Sequence, residues 1–181
     1  MVGSMARVVW AMTWLTAVLA AAPLPGIWLD VPFVKQEKEG CGAASIAMVM
    51  QFWQQQQGRP AVEAADASHI QQTLYSKKGH GIYASDLEAY FQQNNFRTFA
   101  FRGGLPDLKQ HLEKGRPLIV ALKPGAGAWL HYVVVTGLDW EHKVVIVNDP
   151  AQRKLLKRDQ SSFEREWSSA GKWTLLALPQ S

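Results

Sequence analysis

A chain of 181 residues, 48% hydrophobic and 19% charged, can bury one proper core but not two of ordinary size, so a single globular domain behind a short leader is expected. Nineteen basic and fifteen acidic residues leave a formal charge of +4. That is too mild a surplus for a nucleic-acid binder, and the densest basic stretch, "RKLLKR" at 153–158, interleaves leucines as a solvated edge strand does.

In chain order, Arg7 precedes an uncharged, mostly apolar run from Val8 to Ala22, with small residues and prolines around its end. This is the layout of a secretory signal peptide, and at about fifteen residues it falls short of the roughly twenty that span a bilayer. Residues 1–22 are therefore read as a signal peptide or an uncleaved N-terminal anchor, and 23–181 as the functional domain. This reading places the protein outside the cytoplasm, periplasmic or secreted, with membrane or transporter association through the N-terminal segment. In an oxidising compartment the single cysteine, which has no internal disulfide partner, needs a reason.

After an extended lead-in, "IWLDVPFVKQ", the stretch "CGAASIAMVMQFW" carries small or apolar residues on every face. It predicts a helix buried all round that starts at Cys41. "QQQQ" at 54–57 reads as its polar end, closed by Gly58 and Pro60. A second helix is expected from near Asp66 to Tyr75, then a glycine-punctuated loop "KKGHGIY", then a third helix opened by a capping box of Ser85 and Glu88. "FRTFAFRG" alternates as a strand, "LPDLKQHLEKG" is a short helix ending at Gly115, and "PLIVALK" is a strand. "HYVVVTGLD" and "HKVVIVND" are so close in sequence that they form an antiparallel hairpin. A helix around "SSFEREW" and a strand "KWTLLALP" close the chain. Helices first and an antiparallel sheet after them make an α+β order.

A cysteine that opens a helix sits beside unpaired N–H groups and the positive end of the helix dipole, and both favour an anionic sulfur. Gly40 and Gly42 flank it, and their missing side chains read as clearance for a substrate carbonyl. A thiolate nucleophile also needs a base, a group to orient that base, and donors for the oxyanion. His131 opens a strand after the glycine-rich "KPGAGAWL", and Asp149 closes the partner strand in "NDP". With the turn centred on Glu141, Asp149 stands opposite Val133, two residues from His131 and on the same face. A two-residue turn would shift the register by one and separate the pair, so the arrangement demands an odd loop or a bulge. Gln36, in the loop before the helix, has an amide that can donate to an oxyanion.

Other residues carry less. His69, His111 and His142 are scattered, and with one cysteine they leave no tetrahedral zinc set. His80 reads as an idle loop histidine or the border of a substrate groove. Trp129 reads as a core aromatic or a shield for the base, and Trp167 and Trp173 as core.

The stretch "VPFVKQEKEGCGAASIAMVMQFW", with "LHYVVVTGLD" and "VNDP", resembles the bacteriocin-processing, double-glycine leader peptidase family, a branch of the papain-like cysteine proteases, over about residues 28–178. The resemblance implies a papain-like α+β fold, its buried catalytic helix packed on an antiparallel sheet. By it Cys41 corresponds to the nucleophile, His131 to the base, Asp149 to the orienting acid and Gln36 to the oxyanion donor. It also implies hydrolysis of a peptide or protein substrate without a cofactor, with cleavage after Gly-Gly as the family's reaction. A transglutaminase-like acyltransferase using the same triad, and a non-catalytic peptide-binding module with a papain-like groove, stay open beside it. A cell-wall peptidase of the NlpC type matches the cysteine context and Gln36 less well.

Overall fold

The computed structural model describes residues 26–180, so the leader assigned to 1–22 lies outside the described residues. Strand β1 (Gly26–Trp28) leads by an extended segment to helix α1 (Cys41–Gln56). A single 3-10 turn (Glu63–Ala65), α2 (Ala67–Leu74) and α3 (Ala84–Gln93) follow. Then come β2 (Phe96–Arg102), α4 (Leu105–Glu113), β3 (Leu118–Leu122), β4 (His131–Asp139), β5 (Val144–Asn148), β6 (Leu156–Asp159), α5 (Gln160–Ser169) and β7 (Trp173–Pro179). The strands form one antiparallel sheet in the order β2-β7-β3-β4-β5-β6, with β1 added against the far half of β4. The edge strand expected in "RKLLKR" is β6, beginning at Leu156.

Period-two alternation along the strands divides the core into two layers. Ile119, Ala121, Tyr132, Val134, Leu175 and Ala177 face α1 and α3, against Ile46, Met48, Leu87 and Phe91. The alternate residues Val120, Leu122, Val133, Val135, Val145 and Val147 face α4 and α5, against Leu108, Leu112, Phe163 and Trp167. Helix α1 is the most enclosed of the helices, buried continuously from Gly42 to Met50, as its all-round apolar sequence requires. Burying a side chain such as Ile46 or Met48 completely contributes about 1.5–3 kcal/mol. Trp167 is fully buried, whereas Trp173 is only partly so and packs its ring on Tyr132.

Two helices start on aspartates, as chain chemistry predicts: Asp66 accepts the His69 N–H at 2.9 Å and Asp159 accepts the Ser162 N–H at 2.9 Å. The third helix departs from expectation. It opens at Ala84 behind Tyr83, with no side-chain cap, and Ser85 lies inside the first turn rather than ahead of it. The Tyr83 carbonyl already accepts the Asp86 and Leu87 N–H groups. The turn therefore closes too early for a Ser85–Glu88 capping box to form.

The β4–β5 hairpin also differs in detail. Its turn, residues 140–143, is not centred on Glu141: Asp139 pairs with Val144, Leu138 with Val145 and Gly137 with Ile146. A bulge at Thr136 then shifts the ladder by one, and Val135 pairs with Val147 and Val134 with Asn148. Val135 and Leu138 consequently enter the same core layer although three positions apart. Thr136 is completely buried, and its carbonyl accepts the Leu29 N–H at 2.7 Å, which docks the segment after β1 onto the bulge.

Candidate active site

Cys41 is the first residue of α1 and is partly exposed. The residue ahead of it, Gly40, has no side chain with which to cap the helix, and no acidic residue stands in the first turn. The leading N–H groups beside the sulfur thus lack a side-chain acceptor from the cap. The glycines themselves do not open space for substrate, contrary to expectation. A Cβ at Gly42 would lie 3.1 Å from Cβ of Ile82, and one at Gly40 would lie 3.1 Å from the Glu37 carbonyl oxygen. Both glycines allow protein to approach protein: Ile82 packs against α1, and the chain turns tightly over Glu37.

His131 opens β4 and Asp149 directly follows β5. Beyond the bulge, continuation of the Val134–Asn148 register sets Val133 opposite Asp149, so the acid and His131 share a face. His131 Nε2–H donates to Asp149 Oδ1 at 2.8 Å. Because a carboxylate only accepts, this bond fixes the proton on Nε2 and leaves Nδ1 as the nitrogen available to Cys41. The imidazole is 23% exposed and the carboxylate 1%.

Burial is the largest single influence on His131 and pulls its pKa down, but the hydrogen bonds to Asp149 and Cys41 and the charges of both outweigh it, holding the imidazole at about 9. For Asp149 burial again acts first and upward. The hydrogen bond and charge of His131, the Ala151 N–H and the Gln152 amide reverse it, keeping the carboxyl below its ordinary value. At neutral pH the geometry therefore holds an imidazolium between a carboxylate and the cysteine. Tyr132 senses the same neighbour: its hydroxyl is pushed up by burial first and then by Cys41 and Asp86.

Gln36 is partly buried, and its backbone N–H donates to the Pro150 carbonyl at 3.0 Å. That bond ties the loop before Cys41 to the residue after Asp149. Its side-chain Oε1 is buried without a hydrogen-bond partner among the described residues. The fold thus brings all four candidate residues, Gln36, Cys41, His131 and Asp149, into one neighbourhood from three separate stretches of chain.

Three further sets of residues shape the neighbourhood. Asn148, fully buried, donates from Nδ2 to the Val31 carbonyl at 3.0 Å and accepts the Leu155 N–H at 2.9 Å, clamping the lead-in to α1 against the loop that holds Asp149. Gln152 donates to Asp149 Oδ2 at 2.7 Å. On the other side, Glu39 accepts the Tyr75 hydroxyl and is bonded to His80 Nδ1 at 3.2 Å. The Tyr75 bond first, and the His80 bond next, hold the Glu39 carboxyl below its ordinary value. The His80 ring in turn lies against Trp129, centroids 4.6 Å apart. His80 is therefore not idle, and Trp129, at 63% exposure, is not core. The Glu39–His80–Trp129 string joins the loop before the nucleophile to the loop before the base.

Of the remaining histidines, His69 pairs with Glu63 and His142 with Asp139, while His111 lies on α4 with its Nδ1 buried and unpartnered among the described residues. Among the described residues no cluster of three potential metal ligands occurs. A cavity of about 560 Å³ lined by Ile27, Trp28, Leu138 and Lys157 lies at the opposite end of β4 from His131 and contributes nothing to this chemistry.

Comparison with known proteins bears on this arrangement. The Peptidase C39-like family model matches residues 28–175. The chain belongs to the Peptidase C39-like family. No curated protein matches the sequence. Among solved structures, a Bacillus anthracis protein described as a C39-like peptidase is 17% identical with a TM-score of 0.66, over 86% of this chain and 98% of its own. A double-glycine motif protease from an AMS/PCAT transporter, solved with the leader peptide, is 22% identical with a TM-score of 0.65, over 84% of this chain and 94% of its own. The peptidase domain of Streptococcus ComA, a bifunctional ABC transporter of a quorum-sensing pathway, is 21% identical with a TM-score of 0.63, over 82% and 98%. These likenesses establish the expected papain-like α+β fold, and membership of the C39-like family makes this chain a member of a peptidase family.

Proposed function

We propose that this C39-like protein is a cysteine peptidase working through Cys41, His131 and Asp149, with Gln36 as oxyanion donor. The observation that carries the reading is the bond from His131 Nε2–H to the buried Asp149 carboxylate, which leaves Nδ1 toward Cys41. The Cys41 sulfur, its proton held by His131, attacks the peptide carbonyl carbon and forms a tetrahedral oxyanion. The Cys41 N–H and the Gln36 amide donate to that oxygen. Turned about its terminal bond, the Gln36 amide presents N–H where its buried oxygen now has no partner. Each such donor contributes roughly 3 kcal/mol in comparable sites. His131 then passes its proton to the leaving amine as the C–N bond breaks, leaving a thioester. Water, deprotonated by His131, hydrolyses that ester and returns the thiol.

For substrate we propose a peptide or protein cut after paired small residues, by analogy with the leader-bound relative. We further propose that the N-terminal segment 1–22 directs export or anchors the protein at a membrane or beside a transporter. Turnover of a peptide library containing Gly-Gly leaders tests the catalytic reading. Cys41→Ser should lose activity by at least about a thousandfold while melting within a few degrees of the parent. Retained activity in that variant would remove Cys41 from the mechanism, and aminolysis outrunning hydrolysis in the presence of added amine would turn the reading to acyl transfer.

A further inference from the structure

Asp149 stands at the end of a strand, where the chain leaves the sheet, yet its carboxylate is 1% exposed. The covering comes from its own loop. Asp149 N–H donates to the Arg153 carbonyl at 3.2 Å and Gln152 N–H to the Asp149 carbonyl at 2.9 Å, so the chain folds straight back over the side chain. Oδ1 accepts two bonds, from His131 Nε2–H at 2.8 Å and from the Ala151 N–H at 3.0 Å. Oδ2 accepts one, from Gln152 Nε2–H at 2.7 Å. The Gln152 residue is itself exposed, so its side chain gives up rotamer freedom to lie back on the carboxylate instead of extending into water.

Rotation about an aspartate's terminal torsion is soft and nearly two-fold. A carboxylate held at Oδ1 alone swings in its plane and carries the imidazole with it. Held at both oxygens, it is fixed. We propose that Gln152 is a positioning residue: its amide locks Oδ2 of Asp149, and through Oδ1 it orients His131 toward Cys41. The proposal rests on the assignment of Cys41, His131 and Asp149 as the triad. Gln152 brings no charge to the carboxylate. The ionisable groups that act there are His131 from β4 and, beyond it, Cys41 from α1. On the loop itself Arg153 is exposed and Lys154 is engaged with Asp30 at 2.6 Å, while the facing Gln36 and Asn148 are neutral.

Two variants of the full chain test it, Gln152→Ala and Gln152→Glu, each followed by peptide turnover and by the pH profile of Cys41 alkylation with iodoacetamide. Gln152→Ala should lower kcat about ten- to a hundredfold, the loss of one hydrogen bond to a charged group, with KM nearly unchanged. Gln152→Glu sets a second carboxylate against Oδ2 at neutral pH. Its deficit should exceed that of Gln152→Ala at pH 8 and shrink toward pH 5, where the new acid regains a proton and can donate again. The same contrast should appear in the alkylation profile, which needs no substrate. Deficits equal at pH 5 and pH 8, or wild-type kcat and alkylation in both variants, would overturn the proposal. Failure of the triad reading is separate and shows as activity retained by Cys41→Ser.

Discussion

Helix α1 holds Cys41 by burial, whereas the β4–β5 hairpin holds His131 and Asp149 by register. Every residue from Gly42 to Met50 is buried, so nearly any shift of that helix opens a void or a clash. The hairpin has no such redundancy. Its strands would pair as comfortably one residue out, and only the bulge at Thr136 returns Asp149 to the face of His131. The nucleophile's place is thus specified by many contacts of ordinary strength, and the acid–base pair's place by one irregularity.

The most severe way to break that asymmetry is to delete Val133, which lies between the bulge and His131. With the bulge and the Val134–Asn148 pair kept, Tyr132 would then stand opposite Asp149 and His131 would turn to the other face, and turnover should fall about 10³–10⁴-fold, while amide exchange in α1 stays protected. Persistence of activity would show that the triad geometry does not depend on the hairpin register.

A smaller effect sharpens the hairpin side. His131 is raised in the folded protein from 6.5 to about 9, so the stability it contributes is complete below about pH 6.5 and is lost as the pH rises through 9. Asp149, lowered in the folded state, works in the other direction: its contribution is present above the ordinary carboxylate value and is lost as the pH falls through its lowered one. Denaturant titrations should give a plateau from about pH 5 to 6.5 and then a decline, reaching on the order of 1–3 kcal/mol by pH 9. His131→Gln should flatten that decline. A parent curve already flat over the range would mean the imidazole is not held by its partners.

The smallest expected effect tests the helix side. Gly42→Ala places a methyl 3.1 Å from the Ile82 Cβ and should cost about 1–2 kcal/mol of stability, read as a lowered melting temperature, with turnover nearly intact once folded. A large loss of kcat at unchanged stability would restore the view that this glycine makes room for substrate.

The start of α1 at Cys41, its end near Gly58 and the hairpin were legible in the sequence because each is signalled within a few residues. So was the condition for pairing His131 with Asp149, an odd loop or a bulge. Which of the two, and where, was not: the turn is even, and the bulge beside Gly137 answers a contact made from β1. Gly137 was the available signal, since a glycine inside a strand marks a bulge or a close approach, and a Cβ there would lie 2.5 Å from the Ile27 carbonyl oxygen. The Glu39–His80–Trp129 string was invisible for a different reason. Its members are held by a hydrogen bond between residues 41 positions apart and by a ring contact between two loops, and neither leaves a local pattern. Gln152 was missed because a glutamine after Asp-Pro-Ala reads as an exposed loop residue, which by position it is.

Because Thr136, and not the loop at 140–143, decides which side of the sheet the acid faces, the hairpin separates length from parity. The loop residues Trp140, Glu141, His142 and Lys143 are all exposed, and the ladder between them and the bulge is only three pairs long, Asp139–Val144, Leu138–Val145 and Gly137–Ile146. That short ladder insulates the catalytic end from whatever is spliced into the tip, so an epitope, a fluorophore site or a tether for an immobilised enzyme has a natural place there.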